Sequence, residues 1–511
     1  MTTSETGILI SIIIYMIAII GIGIYYAKKN NDAGDFYLGG RKLGPFVTAM
    51  SAEASDMSSY LLMGLPGLAY LSGVCDVFWT IVGLALGTYI NWLIVAKRLR
   101  RYTAKINAIT IPDFFARRYR DKKVLNGIAA MIIIIFFVPY TASGFAACGK
   151  LFNSLFGINY MTAMIISAIV IIAYTTLGGF LAASTSDFIQ SIIMSIALII
   201  VVIFGIHSVG GIDQVFANVK DLPGFLDFNA TFNVKTGTSS PYGIITIIST
   251  LAWGLGYFGM PHILLRFMAI EDENKVKLSR RIASVWVVIA MAIALFIGVM
   301  GYSMSKANVI PALEGSATET VIVQIASALS ENGIFFAIIA GVILAGILAS
   351  TMSTSDSQLL AASSSVTENL MDGVFGVKLS DKAKVIVARC SVIIISIIAI
   401  FFAADPDSNV FTIVSFAWAG FGATFGPIML FALFWKRSNK YGAIAGLLSG
   451  GIMVFVWKFV IRVQFADTVL DVYELLPAFI VACIFNVIVS LLTKAPEQEI
   501  IDEFESIKKM D

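Results

Sequence analysis

The sequence predicts an all-α protein that crosses a membrane many times. Hydrophobic residues make up 58% of the 511 residues and charged residues only 13%, against roughly 45–50% and about 25% in soluble domains. The apolar residues also occur in runs of about 20, the length that an α-helix needs to cross a hydrocarbon core of roughly 30 Å. Composition and run length therefore both indicate a helical membrane protein.

Polar connections separate thirteen such runs. The first has an acidic flank at Glu5 and is longer than the apolar part of a signal peptide, so we interpret it as a retained helix. The predicted spans are 7–27, 44–71, 75–97, 124–149, 160–178, 186–206, 241–265, 282–304, 333–362, 383–404, 409–435, 441–461 and 472–493.

The positive charges lie mainly on one side of these spans. If the N-terminus is outside, the inner side holds 29 of the 35 Lys and Arg, including Lys28 and Lys29. The outer side holds the other six: Lys150, Lys220, Lys235, Lys306, Lys458 and Arg462. Cytoplasmic connections carry the excess of Lys and Arg. We therefore predict an outside N-terminus, an inside C-terminus and a solvated tail after Lys494.

Two predicted spans are interrupted by residues that do not suit a helix in lipid. The second holds Glu53, Asp56 and four serines, and the seventh holds three glycines and Pro261 within residues 253–262. Glycine and proline favour unwinding, and irregular backbone at membrane depth is tolerated where it lines a cavity or is buried in protein. Because the two spans are five apart, we predict that spans 2–6 and 7–11 form inverted halves. Paired interruptions of this kind indicate a transporter site.

The ninth predicted span carries hydroxyls on one helical face, at Ser350, Ser353, Thr354 and Ser357. Such hydroxyls can bond back to their own helix or join helices. Beside the freed carbonyls of a broken helix, they favour a site for a hard cation such as sodium. Asp56 lies about twelve residues into its span, roughly 18 Å along the axis, where a buried charge indicates function.

Other classes of protein explain these features less well. A channel also tolerates broken helices, but no filter motif repeats along the sequence. A membrane enzyme would need a nucleophile elbow, a P-loop or an HExxH motif, and the sequence has none. Packing of small residues accounts for Gly254 and Gly256 but not for Asp56.

Eleven short motifs run in order along the chain. They are Tyr37–Arg41, Leu43–Thr48, Ala54–Ser58, Leu61–Gly67, Ile111–Phe115, Tyr140–Gly144, Trp253–Gly259, Pro261–His262, Met352–Thr354, Ala417–Gly422 and Gly442–Ala443. In this order and spacing they resemble the sodium:solute symporter family, and within it the sodium/proline symporters. The resemblance extends over essentially the whole chain.

This resemblance implies a LeuT-like fold of thirteen spans with a five-plus-five inverted repeat. It implies one transporter domain over 1–511. Its parts would be an additional helix at 7–27, the first repeat at 44–206, the second repeat at 241–435, two additional helices at 441–493 and a cytoplasmic tail at 494–511.

The resemblance also implies roles for individual residues. Sodium would be held by the backbone carbonyls of Ala54, Met57 and Ser350 and by the hydroxyls of Ser353 and Thr354. Coupling would involve Asp56 and Ser58. From its position at the inner start of the sixth span we add Asp187 as a coupling residue, although a carboxylate there also suits a helix N-terminus. The substrate pocket would be lined by Tyr140, Trp253, Tyr257 and Pro261, and we add Met260 because it lies next to Pro261.

Several residues beside these positions depart from the proline-symporter pattern. Glu53 and Ser59 stand where glycine is usual, Tyr60 where tryptophan is usual, and Met260 where glutamine is usual. Ser350 replaces an alanine, which leaves a carbonyl ligand unaffected. Met260 replaces an amide by a thioether, so polar contacts there would differ. Glu53 leaves room for a proton or a second cation.

We therefore predict a sodium-coupled symporter that imports a small amino acid by alternating access, with L-proline as the leading substrate. The alternatives are a sodium- or proton-coupled importer of a different small amino acid or a carboxylate solute, and a channel. We expect no enzymatic activity and no cofactor apart from Na⁺ as the coupling ion. The expected partners are the solute, sodium and the lipid bilayer of the plasma membrane, with no nucleic acid and no obligate protein partner.

Overall fold

The computed structural model describes residues 2–27, 33–466 and 468–508. Lys28 and Lys29, two of the predicted inner charges, lie outside these ranges. Within them, ten helices are long and apolar enough to cross a membrane, or eleven if the bent pair Ile244–Phe258 and Pro261–Ala269 forms one span. The prediction of a multi-pass helical membrane protein is confirmed.

The secondary structure follows the apolar runs to within several residues at most ends. The longer α-helices are Thr3–Ala27, Pro45–Ser59, Val74–Ile90, Val124–Phe156, Tyr160–Ser208, Val276–Lys306, Ile334–Ser364, Asp381–Phe402, Val410–Phe434, Lys440–Val456 and Leu475–Leu492. The shorter ones are Ala33–Leu38, Leu65–Ser72, Ala96–Lys105, Ile111–Arg118, Ile212–Ala217, Ile244–Leu251, Pro261–Ala269, Val321–Ser330, Arg462–Gln464 and Gln498–Lys508. The π-helical segments are Tyr60–Gly64, Asn91–Val95, Ser365–Val374 and Trp457–Ile461. The 3₁₀ segments are Gly39–Arg41, Ala252–Phe258, Glu273–Lys275 and Gly315–Thr320.

Three elements occupy the centre of the protein. We name 45–72 the first broken helix, 244–269 the second broken helix, and Ile334–Ser364 the hydroxyl helix. Every residue from 48 to 67 and from 343 to 364 is buried. Peripheral helices instead expose apolar side chains, as Thr3–Ala27 does with Ile14 and Ile17. This is the arrangement expected when lipid surrounds a polar centre.

The predicted fifth and sixth spans form one element, Tyr160–Ser208, which is broken at Gly179 with φ 67° and ψ −171°. An unbroken helix of its 49 residues would extend about 74 Å, more than twice the hydrocarbon core. The hydroxyls of Tyr174 and Ser186 are hydrogen-bonded to each other, although twelve residues of straight helix would separate them by about 18 Å. The chain therefore folds back at Gly179.

A short hairpin in the predicted connection 207–240 is the part of the fold that an all-α prediction missed. Strands Ala230–Asn233 and Thr238–Pro241 pair antiparallel, with Ala230 opposite Pro241. Gly237 takes φ +67° in the turn, a conformation that glycine adopts without steric cost. Phe232 packs against Phe225, with ring centroids 5.5 Å apart, and this contact holds the hairpin against the segment that precedes it.

The expectation of a solvated tail after Lys494 was wrong. Helix Gln498–Lys508 buries Ile500, Phe504 and Ile507. Their spacing of i, i+4 and i+7 forms one apolar stripe. The guanidinium groups of Arg98 and Arg118 lie 5.1 and 5.2 Å from the Phe504 ring centroid, so cation–π contacts hold the tail against helices Ala96–Lys105 and Ile111–Arg118.

Helix Val74–Ile90 crosses the second broken helix at glycines. A Cβ atom added at Gly87 would overlap the backbone of Gly254, and one added at Gly83 would lie 2.6 Å from the Leu251 carbonyl oxygen. The absence of side chains at both positions lets the two backbones touch, as small residues do at helix crossings in membranes.

We expect Gly87→Ala to separate this crossing and to lower the free energy of unfolding by about 1–3 kcal/mol through overpacking. Thermal unfolding of the purified protein measures the loss. Gly21→Ala is the matched control, because a Cβ atom at Gly21 meets nothing within 4 Å and alanine favours a helix. Equal unfolding midpoints for the two variants would show that the crossing tolerates a methyl group.

Candidate functional site

The first broken helix is interrupted at Ser58, whose φ of 48° and ψ of −168° are not helical. A sparsely populated backbone conformation costs a non-glycine residue about 1–3 kcal/mol. The Ser58 hydroxyl accepts a hydrogen bond from the Tyr60 amide at 3.1 Å, and the Met57 carbonyl accepts from the same amide. These bonds secure the break, after which the chain continues as a π-helical segment.

The hydroxyl helix supplies side-chain oxygens to this break. The Ser353 hydroxyl is 2.8 Å from the Ala54 carbonyl and 3.1 Å from the Ser350 carbonyl. The Thr354 hydroxyl is also 3.1 Å from the Ser350 carbonyl. Four neutral oxygens from two helices are thus linked by contacts of 2.8–3.1 Å. Hard cations such as calcium prefer this kind of ligand, and sodium shares the preference.

The second broken helix changes from α to 3₁₀ geometry at Ala252 and resumes as an α-helix at Pro261, with a bend of 45°. Neighbouring helices satisfy two of its carbonyls. The Trp418 indole donates to the Trp253 carbonyl at 2.8 Å, and the Asn91 amide donates to the Tyr257 carbonyl at 2.9 Å. An unwound segment survives in a membrane only with such partners.

Asp56 connects the two broken helices. Its carboxylate accepts a hydrogen bond from the Tyr257 hydroxyl at 2.5 Å, and its side chain is almost completely buried. No ion pair of Asp56 occurs among the residues that the structure describes. The Tyr257 hydroxyl brings no positive charge to this carboxylate, so a cation bound nearby would lower the cost of burying its charge.

A small cavity adjoins Asp56. Its lining residues are Asp56, Met57, Tyr60, Leu84, Tyr140, Trp253, Met291, Val414 and Trp418. The Trp253 ring stacks on Tyr60 at 5.5 Å and on Tyr473 at 5.0 Å between centroids. The cavity volume is ≈ 10 Å³, roughly the room of one water molecule. An amino acid can enter only after these aromatic side chains move apart.

A buried ionic network lies toward the Arg266 end of the second broken helix. Arg266 donates to Asp187 at 3.0 Å and to Ser357 at 2.5 Å. The hydroxyl of Ser51 donates to the same Asp187 oxygen at 2.7 Å. The network joins both broken helices, the hydroxyl helix and Tyr160–Ser208. The side chains of Asp187 and Arg266 have 0% and 1% of their surface exposed, so either charge alone would be costly to bury.

A second buried ion pair joins Lys150 to Glu319. Lys150 donates to Glu319 at 2.8 Å and to the Ser408 carbonyl at 2.6 Å. Glu319 in turn accepts from the backbone amide of Phe411 at 3.1 Å. The ring of Phe411 stacks on Tyr60 at 5.6 Å between centroids. The ion pair therefore helps to hold Phe411 against Tyr60, which lines the cavity.

The family model of the sodium:solute symporters matches residues 36–450. The chain belongs to this family.

Its relatives include the osmoregulated proline transporter of Bacillus subtilis, which is 42% identical over 96% of this chain and 95% of its own length. The sodium/proline symporters of Haemophilus influenzae and Escherichia coli are each 42% identical. These alignments cover 98% and 96% of this chain and 97% and 94% of the two relatives.

Solved structures show that the fold is LeuT-like. A sodium-coupled sialic acid symporter in a substrate-bound, outward-open state aligns with a TM-score of 0.78 at 18% identity, over 98% of this chain and 99% of that one. The transporter MhsT in complex with L-phenylalanine aligns with a TM-score of 0.52 at 14% identity, over 88% and 97%. At these identities the likeness concerns the fold alone.

In this family member, the structure brings most of the predicted site residues together, but not all in one place. Tyr140 and Trp253 line the cavity, and Tyr257 contacts it through Asp56. Met260 and Pro261 are buried but do not line the cavity. They form the start of helix Pro261–Ala269. The thioether of Met260 therefore does not contact this cavity.

Sequence reasoning missed several partners. It assigned Arg266 and Lys150 to connections between spans, whereas both side chains are buried in ion pairs. It also missed Trp418 as a donor to the broken backbone, although Trp418 lies within one of the recognised motifs. Among the residues that depart from the proline-symporter pattern, Tyr60 lines the cavity. Glu53 is buried and accepts from the Trp92 indole at 3.1 Å.

We expect Arg266→Met alone to destabilise the protein by about 3–5 kcal/mol, because Asp187 would keep a buried charge without a cation. Asp187→Asn combined with Arg266→Met removes both charges and should cost less than Arg266→Met alone. Thermal unfolding of Arg266→Met, Asp187→Asn and the double variant in the same detergent measures this difference.

Lys436→Met is the control for loss of a positive charge. Its partner Glu505 lies on the surface at 3.1 Å, and an exposed pair contributes at most about 1 kcal/mol. If the double variant loses as much as the sum of its single variants, the buried pair is not energetically coupled.

Proposed function

We propose that this chain imports L-proline together with sodium by alternating access. One observation carries the proposal: the Ser353 hydroxyl contacts the Ala54 carbonyl of the first broken helix, beside a cavity that Asp56 and aromatic rings enclose. The family is sodium-coupled by its description, and relatives 42% identical over nearly the whole chain carry the name sodium/proline symporter.

The proposed sodium ligands are the carbonyls of Ala54, Met57 and Ser350 and the hydroxyls of Ser353 and Thr354. The contacts of 2.8–3.1 Å among four of these oxygens support this set. Met57 belongs to the same break, and its carbonyl would have to exchange the Tyr60 amide for the ion. Because these ligands are neutral, they do not cancel the positive charge of the ion, which can therefore attract the Asp56 carboxylate.

Asp56 is the proposed coupling residue. It lies between two proposed ligands in the sequence, and it contacts Tyr257 of the second broken helix. A change in the ion site is therefore transmitted to the solute side through a single hydrogen bond. Ser58 would contribute by fixing the break, and Asp187 by linking it to the hydroxyl helix.

The proposed solute site suits a cyclic amino acid. The faces of Tyr140 and Trp253 would pack against an apolar ring when the cavity widens. The solute carboxylate would meet the N-terminus of helix Pro261–Ala269, because a helix N-terminus favours negative charge. Met260 directly precedes this helix. In this way Met260 and Pro261 contribute backbone rather than side-chain contacts.

The proposed topology has thirteen spans with an outside N-terminus and an inside C-terminus. The bent pair at 244–269 counts as one span, and Tyr160–Ser208 as two because the chain folds back at Gly179. The first broken helix is a span despite its polar residues. This arrangement supports the division into repeats at 44–206 and 241–435, with additional helices at 7–27 and 441–493.

A different small amino acid is the second candidate solute, and Tyr60 favours it. The Tyr60 side chain lines the cavity, and its buried hydroxyl has no hydrogen-bond partner among the described residues. A solute with an additional polar group would satisfy this hydroxyl, because an unpaired buried donor costs about 1–3 kcal/mol.

We expect proteoliposomes to accumulate labelled L-proline only under an inward sodium gradient. If one sodium accompanies each proline, a tenfold gradient supplies about 1.4 kcal/mol and supports roughly tenfold accumulation. Potassium in place of sodium, and liposomes without protein, are the controls. Accumulation at the same rate without the gradient would disprove sodium coupling. If another amino acid accumulates and proline does not compete with it, the second candidate is correct.

We expect Ser353→Ala and Thr354→Ala each to raise the half-saturating sodium concentration by roughly tenfold or more, because a contact to a charged group contributes about 1.5–3 kcal/mol. Initial uptake rates at a series of sodium concentrations measure this. Ser364→Ala is the matched control, since its buried hydroxyl bonds within the same helix to the Ala361 carbonyl. A shift of equal size in the control would contradict the proposed ligands.

A further inference from the structure

An apolar groove lies between helices Tyr160–Ser208 and Val276–Lys306, away from the solute cavity. Its volume is ≈ 460 Å³, within the range of roughly 300–1,000 Å³ that is typical of ligand pockets. Its lining is apolar apart from Ser195, Trp286 and Arg281. The Trp286 indole donates to the Ser195 hydroxyl at 2.9 Å. The polar groups inside the groove therefore satisfy each other and leave an interior suited to hydrocarbon.

The length of the groove matches one leaflet of a bilayer. Arg281, Val285, Ile289 and Ile293 line it at intervals of four residues along one face of helix Val276–Lys306. From Arg281 to Ile293 this face extends about 18 Å, close to half of a hydrocarbon core of roughly 30 Å. Val285 and Ile289 are 60% and 54% exposed, so the groove opens toward the surrounding lipid.

Among the described residues that line the groove, the positive charge lies at one end, at Arg281. The Arg281 side chain is exposed and has no hydrogen-bond or ion-pair partner within the described ranges. Lys277 precedes it by one helical turn and is likewise exposed. Two like charges at i and i+4 repel each other, so an anionic group bound between them would be stabilised. In the proposed topology this end faces the inner leaflet, where positive residues attract anionic lipids.

We propose that the groove binds an anionic phospholipid of the inner leaflet, with one acyl chain along Val285, Ile289 and Ile293 and the headgroup at Arg281. Met50 of the first broken helix forms part of the same lining. The bound acyl chain thus contacts the element that carries the proposed sodium ligands. This proposal concerns lipid binding and does not depend on the identity of the solute.

Quenching of Trp286 fluorescence by brominated acyl chains tests the proposal. The protein is reconstituted into vesicles that contain increasing fractions of brominated phosphatidylglycerol or brominated phosphatidylcholine. The signal of Trp286 is the difference between the parent protein and Trp286→Phe. We expect a roughly fivefold preference for phosphatidylglycerol, the effect of about one positive residue near charged lipid.

Arg281→Gln should remove this preference while the maximal quenching is retained, because the apolar lining is unchanged. Arg280→Gln is the matched control. It removes the same charge one position earlier, where the guanidinium lies 5.3 Å from the Tyr89 ring centroid and does not line the groove. The preference should persist in this variant.

Three results would overturn the proposal. Equal quenching by the two lipids in the parent protein would mean that the headgroup is not recognised. Equal loss of preference in Arg281→Gln and Arg280→Gln would assign the effect to general surface charge. Absence of a Trp286 component would mean that another occupant, such as a second copy of this chain, excludes lipid from the groove.

Discussion

The structure depends on the requirement that every carbonyl at membrane depth has a partner. Both broken helices release carbonyls, and water is not available in the hydrocarbon core to satisfy them. The partners come from other helices: Ser353 for Ala54, Trp418 for Trp253 and Asn91 for Tyr257. The breaks thus determine which helices pack together, because each break needs a donor at its own depth.

The same requirement explains the chemistry of the candidate ion site. Carbonyls and hydroxyls are inexpensive to bury once they contact each other, whereas an unpaired charge is not. The Ser353 hydroxyl donates to the Ala54 carbonyl, and the Thr354 hydroxyl donates to the Ser350 carbonyl. A cation that replaced these hydrogen bonds would bind oxygens that already lie close together. Little free energy would then be needed to rearrange them. Asp56 supplies the only negative charge lining the adjacent cavity, within the described part of the chain.

The sequence predicted the features that are local and missed those that join distant segments. Apolar runs predicted the spans, glycine and proline predicted the second break, and the spacing of Ser350, Ser353 and Thr354 predicted the hydroxyl face. The buried pair of Asp187 and Arg266 joins residues 79 positions apart. No periodicity in a single sequence indicates such a contact. The tail helix was different, since its apolar residues already had helical spacing.

The two buried ion pairs help to explain why this arrangement suits alternating access rather than a channel. Asp187 with Arg266 and Lys150 with Glu319 lie on opposite sides of the cavity in the proposed topology. Opening the cavity to one side would separate the pair on that side, and hydration of the two charges would offset only part of the attraction that is lost. Opening it to both sides would separate both pairs at once, at about twice the cost. A state open to both sides would therefore be rarer than a state open to one, which disfavours a continuous pore.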